Sequence, residues 1–400
     1  MNNLKFRVIN FSFILVFIAC GKKENVNPDV NIVNEKSYFT ANKYGQFSNL
    51  YSFDFETKKL ELILSRTPSG DANVYQNMNN SNNIVGIYWV ERFFAQPSRI
   101  TYLAANTKAS GVENTNFPIN IHNLIMVKNK LLGIGYETEI IATSPDLSNT
   151  FMSKVKLDTE AVSLTTEEKQ LKTNHLLTAN NKIYVLSLGT YDYNSYQKNK
   201  PYIFELADDM KTVVKKTEIT NCFNPASHVK VLDTSKVILN CNPYSEDKSL
   251  ITNLVYVDVA SNNIVIKEIL RTEKNGDVQQ FELGGVSATK DSVLITERKQ
   301  SGNYTWNKIN LAYWFNLNNP ETIVLNDITR KKFLKNLAGK VTFNFSKNMY
   351  LFSCVVDPTS FTCIKGKAAI SKDLLGEKSE IIDFNIPEIN EIQFPIPIYQ

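Results

Sequence analysis

The chain has 400 residues, 43% of them hydrophobic and 21% charged, and a formal net charge of +4. That composition excludes a disordered, collagen-like or polytopic membrane protein. The charge leaves no electrostatic footprint for nucleic acid, and it falls to about +2 once Lys5 and Arg7 are set aside with residues 1–19. The length suits two or three small domains or one closed all-β unit.

The first element is a leader. Lys5 and Arg7 precede an apolar run from Val8 to Ile18 that is too short for a permanent membrane helix and matches the apolar core of a secretory signal. Phe17-Ile18-Ala19-Cys20 resembles a bacterial lipobox, in which the cysteine is lipidated and becomes the mature N-terminus. The resemblance implies a signal peptide over 1–19 and a lipidated Cys20 followed by a polar tether over 20–35. It also implies attachment to the cell envelope through the N-terminal lipid. Gly21, where an inner-membrane protein of enteric bacteria carries Asp, points to the outer membrane, periplasmic or surface-exposed.

From residue 36 onward, short β-branched and aromatic runs alternate with Asn, Asp, Ser and Lys turns, which predicts strands throughout. A unit recurs: a strand, a tight polar turn, an apolar strand, a variable loop, a strand, a turn and a last strand. Its turn and second strand align at Asn129-Lys130-Leu131-Leu132, Asn181-Lys182-Ile183-Tyr184, Ser235-Lys236-Val237-Ile238, Asp291-Ser292-Val293-Leu294 and Asn348-Met349-Tyr350-Leu351. Earlier starts fall at Asn83-Ile84-Val85 and Ser37-Tyr38-Phe39. The third and fourth strands repeat as Tyr51-Ser52-Phe53-Asp54 before Leu60-Glu61-Leu62, and Val255-Tyr256-Val257-Asp258 before Ile264-Val265-Ile266. Two stretches, Leu164–Asn174 and Thr329–Gly339, carry short helical patterns.

Seven such units at a period near 50 read as a β-propeller. The unit resembles the blades of seven-bladed propellers of the YVTN/YncE-like, surface-layer type, although the signature tetrapeptide of that type is absent. The expected fold is therefore all-β, a single β-propeller over 36–400 with seven four-stranded blades. The first unit lacks an inner strand, and the extended segment Glu391–Ile398 is expected to supply it, with Val30–Val33 as the competing candidate.

The four cysteines beyond Cys20 are even in number, as befits an oxidising compartment. Three pairings are possible. Cys222 with Cys241 and Cys354 with Cys363 are preferred, because each closes a short local loop. Neither pair has the C-x-x-C spacing of a redox or zinc motif.

In a propeller, blade-to-blade connections and second-to-third-strand loops open at the same end, and rigidly held loops favour ligand sites. His122, His175 and His228 recur there at intervals of 53 residues, near the inner-strand starts. Three neutral imidazoles can ligate zinc or copper, and a metal-binding, redox or hydrolytic enzyme is the alternative they support. Structural hydrogen bonding is the more ordinary role of such histidines. Aromatics gather in the same loops: Phe93 and Phe94; Tyr191, Tyr193, Tyr196 and Tyr202; Tyr244; Tyr304 and Trp306. Such rings suit a protein partner, a flat small molecule or a sugar face, or else they fill gaps between blades. No catalytic fingerprint or general acid/base pair is present in the sequence. The leading expectation is a non-catalytic binding module with no cofactor, acting through its long-loop face.

Overall fold

The computed structural model describes residues 23–26, 36–105 apart from 44, 68–70, 80–82 and 94–95, then 112–114, 121–147 apart from 136–138, 153–156 and 173–187. It further describes 201–222 apart from 211 and 221, 229–241 apart from 232–233, 250–273 apart from 262, 278–286, 292–300, 308–316 and 337–344. The remainder is 349–385 apart from 356, 358, 360–363 and 373–378, with 391–393 and 396–399. The described residues form strands and turns, with no helix among them.

Small, mainly antiparallel sheets follow one another along the chain. The first holds β1 (Lys23–Val26), β2 (Lys36–Lys43), β3 (Phe47–Asp54) and β4 (Leu60–Thr67). The second holds β5 (Asp71–Met78), β6 (Ile84–Phe93), β7 (Gln96–Ala104) and β8 (Val112–Asn114). The third consists of β9 (Ile121–Val127), β10 (Lys130–Gly135), β11 (Glu139–Thr143) and β12 (Ser153–Lys156). The fourth is β13 (Thr173–Ala179), β14 (Lys182–Ser187), β15 (Tyr202–Leu206) and β16 (Val213–Glu218). The fifth comprises β17 (Val229–Val231), β18 (Lys236–Cys241), β19 (Leu250–Asp258) and β20 (Val265–Glu273). The sixth shows β21 (Val278–Val286), β22 (Ser292–Gln300) and β23 (Lys308–Asn316) among the described residues. The seventh is β24 (Leu337–Asn344), β25 (Met349–Val355), β26 (Lys367–Ser371) and β27 (Glu380–Asp383). Two last strands, β28 (Glu391–Gln393) and β29 (Ile396–Tyr399), belong to sheets far earlier in sequence.

Turn chemistry explains the regular hairpins. Lys128 and Asn129 (φ 46° and 59°) and Asn180 and Asn181 (φ 52° and 64°) both take the left-handed region, the requirement of a two-residue type I′ turn. The turn after the third strand is capped by aspartate. Asp54 Oδ1 accepts from the Glu56 and Thr57 amides, and Asp258 Oδ1 from that of Ala260.

Strands send alternate side chains to opposite faces, and in the first four sheets both faces are covered. Tyr38 packs with Leu50, Val74 and Trp89 between sheets one and two, whereas Phe39 packs with Tyr51, Leu351 and Ile370 between sheets one and seven. Leu131 joins Tyr88 and Ile141 between sheets two and three, while Leu132 joins Val185 and Phe204 between three and four. Leu177 and Tyr184 face Val237 and Val255 between four and five. Fourth strands lie outermost and wetter: β16 exposes Val214 and β27 exposes Ile381.

Two terminal strands complete the sheet arrangement. β28 pairs antiparallel with β2, Thr40 opposite Gln393, in the inner position of the first sheet. β29 then pairs parallel with β5, Ile396 opposite Tyr75. Ile392 and Ile398 are both buried in the seams they enter. Within the segment read as a tether, β1 covers the outer edge of β4, an edge that would otherwise display unpaired backbone groups. Val30–Val33, the competing candidate for the inner strand, lies outside the described residues.

The helical patterns do not extend as far as the sequence suggests. Thr173 and Asn174 begin β13, and Leu337–Gly339 begin β24, where Thr173 pairs with Ser187 of β14, and Leu337 and Ala338 with Val355 and Cys354 of β25. The rest of both stretches lies outside the described residues. Cys222 and Cys241 are bonded, with a Cα–Cα distance of 5.1 Å, and both are buried. Cys354 lies in β25 opposite Ala338, and Cys363 is outside the described residues.

Deleting residues 389–400 removes two buried isoleucines and leaves the β2 and β5 edges unpaired. The expected loss is about 3–6 kcal/mol, read as a lower urea midpoint against the full chain.

Candidate functional site

Connectivity assigns an end to every loop. Inner strands begin, second strands finish and fourth strands finish at one end, here the loop end; the hairpin turns 128–129 and 180–181 lie at the other. Loop length at the loop end is uneven. Second-to-third connections are short in the first three sheets, at 44–46, 94–95 and 136–138. They lengthen in sheets four to seven, to 188–201, 242–249, 301–307 and 356–366.

The aromatic candidates divide accordingly. Phe93 is the last residue of β6, paired opposite Gln96, so only 94–95 form the connection and Phe93 belongs to a strand rather than a loop. Tyr202, read as a loop residue, lies in β15, buried and stacked on Phe204 at 6.2 Å, with Lys216 Nζ 5.0 Å from its ring centre. It is core packing. Phe94, Tyr191, Tyr193, Tyr196, Tyr244, Tyr304 and Trp306 lie outside the described residues, as does Cys20.

Strand register separates two of the histidines that sequence spacing groups together. Ile134 of β10 faces Asn123, and Gly135 faces Ile121, so His122 falls on a bulge. The equivalent residue of β14, Leu186, faces His175, and Ser187 faces Thr173, leaving Asn174 on the bulge. His175 is therefore the counterpart of Asn123, and His122 of Asn174. Equal spacing in sequence therefore places the two histidines at different register positions, one on a bulge and one paired. His228 lies outside the described residues. Among the described residues, no three His, Cys, Asp or Glu side chains come together as a metal set.

His175 and Asn123 each serve the seams. Asn123 Oδ1 accepts the Leu176 amide at 3.0 Å, tying the inner strands of sheets three and four. His175 is half-buried, but its Nδ1 is enclosed with no hydrogen-bond partner, and desolvation lowers its pKa from 6.5 to about 4. The neutral ring is the form the fold accepts.

Among the described residues, a dense polar group at the loop end escaped sequence reasoning. Glu91 of β6 is fully buried between sheets one and two. Its Oε2 accepts Arg66 Nη1 of β4 at 2.8 Å and Arg99 Nε of β7 at 2.6 Å. Arg66 Nη2 also donates to Thr101 Oγ1 at 2.7 Å, and its guanidinium lies 4.7 Å from the Trp89 ring centre. Glu91 Oε1 is enclosed without a partner. The available signal was local: opposite charges at 91 and 99, symmetric about the two-residue connection 94–95, are cross-strand partners once that hairpin is recognised. The arrangement is an ionic lock holding the first two sheets at the loop end.

No family model and no curated protein sequence matches the chain. Solved structures do. A hypothetical selenium-binding protein from Sulfolobus tokodaii is similar over 90% of this chain and 92% of its own, with 8% identity and a TM-score of 0.53. A Kuenenia stuttgartiensis hydrazine synthase chain is similar over 87% and 98%, at 6% identity and a TM-score of 0.48. The β-propeller domain of Swd1 from Myceliophteria thermophila is similar over 84% and 97%, at 9% identity and 0.45. The fold is of the β-propeller type.

Two outcomes follow at this end. Glu91→Ala strands two buried guanidiniums beside an apolar ring and is expected to cost about 3–5 kcal/mol in urea unfolding. For His175, the folded pKa lies below the unfolded value, so its contribution is complete above pH 6.5 and is lost as pH falls towards 4. Across that window the native chain should lose about 3 kcal/mol that His175→Asn does not lose, measured by unfolding at stepped pH.

Proposed function

We propose that this chain is a lipid-anchored protein of the bacterial cell envelope, most simply the outer membrane, whose sheets form one closed seven-bladed β-propeller of the surface-layer type. Its role is to bind a protein, small-molecule or glycan partner through the long-loop face. The observation that carries the reading is the gathering of 188–201, 242–249, 301–307 and 356–366 at one end of a rigid scaffold, with Tyr191, Tyr193, Tyr196, Tyr244, Tyr304 and Trp306 in those segments. Aromatic side chains carried on loops of a packed framework are the usual makings of a binding surface. Closure is supported by the seams joining sheet seven to one and one to two, and by β28 in the inner position of the first sheet. Anchoring is supported by the lipobox-like Phe17–Cys20 after an apolar run.

The test is affinity capture from a solubilised envelope of the native host. Trp306→Ala and Tyr193→Ala should each lower recovery of the bound partner at least tenfold, and Cys20→Ser should move the chain into the soluble fraction. Unchanged capture by both aromatic variants would refute the loop-face role, and a membrane-bound, acylated Cys20→Ser chain would refute the anchor.

A further inference from the structure

We infer that the loop end of the first sheet lies against the headgroup surface of the bilayer, so that the loop face points at the membrane rather than away from it. The inference rests on the anchored reading of Cys20 and adds an orientation to it. Its basis is the register of β1. Lys23 pairs opposite Thr67 and Val26 opposite Leu64, so β1 enters at the loop end of β4 and runs away from it. The same end is marked independently by Asp71, which follows Thr67 after 68–70 and pairs opposite Arg92, beside the 94–95 connection.

Cys20 precedes Lys23 by three residues. Fully extended, three residues span about 10 Å. The acyl chains on Cys20 would end in the hydrocarbon, with the cysteine backbone at the headgroups. With about 5 Å more across the strand pair, Thr67 is then held within about 15 Å of that surface, whereas the opposite end of β4, eight residues long, is about 25 Å further along the strand. A free tether over residues 20–35 would set no such limit; pairing of β1 with β4 does.

Two further features suit that approach. The sequence sets two cations, Lys22 and Lys23, within three residues of Cys20, a charge matched to anionic headgroups. The connections beside it, 44–46 and 94–95, are short, so nothing long intervenes between the sheet and the surface on that side. The longer connections of sheets four to seven belong to the same face and would meet occupants that are embedded in, or lie on, the bilayer.

The test uses the full-length chain, acylated in its host and reconstituted into phosphatidylethanolamine–phosphatidylglycerol vesicles carrying headgroup-attached quencher. Mass spectrometry of the N-terminal peptide and flotation come first. A fluorescent amino acid is then inserted in place of Thr67 or, separately, of Thr57 in the turn at the other end of the same sheet; both positions are exposed. Quenching at Thr67 at least threefold stronger than at Thr57 is the expected result. Equal quenching, or stronger quenching at Thr57, in acylated floating protein would overturn the orientation alone. An unacylated, non-floating chain would overturn the anchored reading and the orientation with it.

Discussion

The rest of the molecule depends on one constraint: sheets that are apolar on both faces must each have two neighbours. A strand such as β2 sends Tyr38 one way and Phe39 the other, into different clusters, and β10 does the same with Leu131 and Leu132. Such a sheet cannot sit at the end of a stack without exposing a full apolar face to water. Face-to-face packing covers such faces from the first sheet to the fifth, and again where the seventh meets the first. Polar residues collect on the outermost strands, the one place where alternation gives way to exposure.

Within these seams, several buried polar groups bridge neighbouring sheets. Thr40 donates to the Ala72 carbonyl between sheets one and two, Tyr88 to the Pro145 carbonyl between two and three, and the Leu176 amide to Asn123 between three and four. An unmet polar group in such a setting costs about 1–3 kcal/mol, so each bridge also fixes how its two sheets are rotated against each other. The Arg66–Glu91–Arg99 group is the strongest form of this device. Its charges are tolerable because three hydrogen bonds and an aromatic face replace the water they lost.

Much of this was legible in the sequence. The second strands aligned because they carry short apolar runs, largely buried in β10, β14 and β18, and a two-residue Lys/Asn turn precedes two of them. The inner strand of the first sheet could be anticipated because a unit lacking one and an extended segment lacking a partner imply each other. Less legible were features set by register. Spacing of 53 residues aligned His122 with His175, but single-residue bulges at 122 and 174 put the two histidines at non-equivalent register positions. Glu91 and Arg99 looked like ordinary charged strand residues, since nothing in composition tells a buried pair from a solvated one. Phe93 looked like a loop residue because it adjoins Phe94, whereas the connection begins only at residue 94. β1 was hidden in a polar segment whose strand character comes from the edge it covers.

The pairing of β28 with β2 and of β29 with β5 has a consequence for how the molecule is made. Thr40 and Gln393 stand near opposite ends of the sequence, so the first two sheets cannot acquire their inner partners until all the others have been synthesised. Contacts of such long sequence separation require a large loop to close before they contribute, which slows the last step of folding. Until then the inner edges of β2 and β5 stay open, and open edges invite pairing with other chains. The vulnerable interval is the one between emergence of β2 and arrival of β28, and it spans almost the whole of the chain's synthesis.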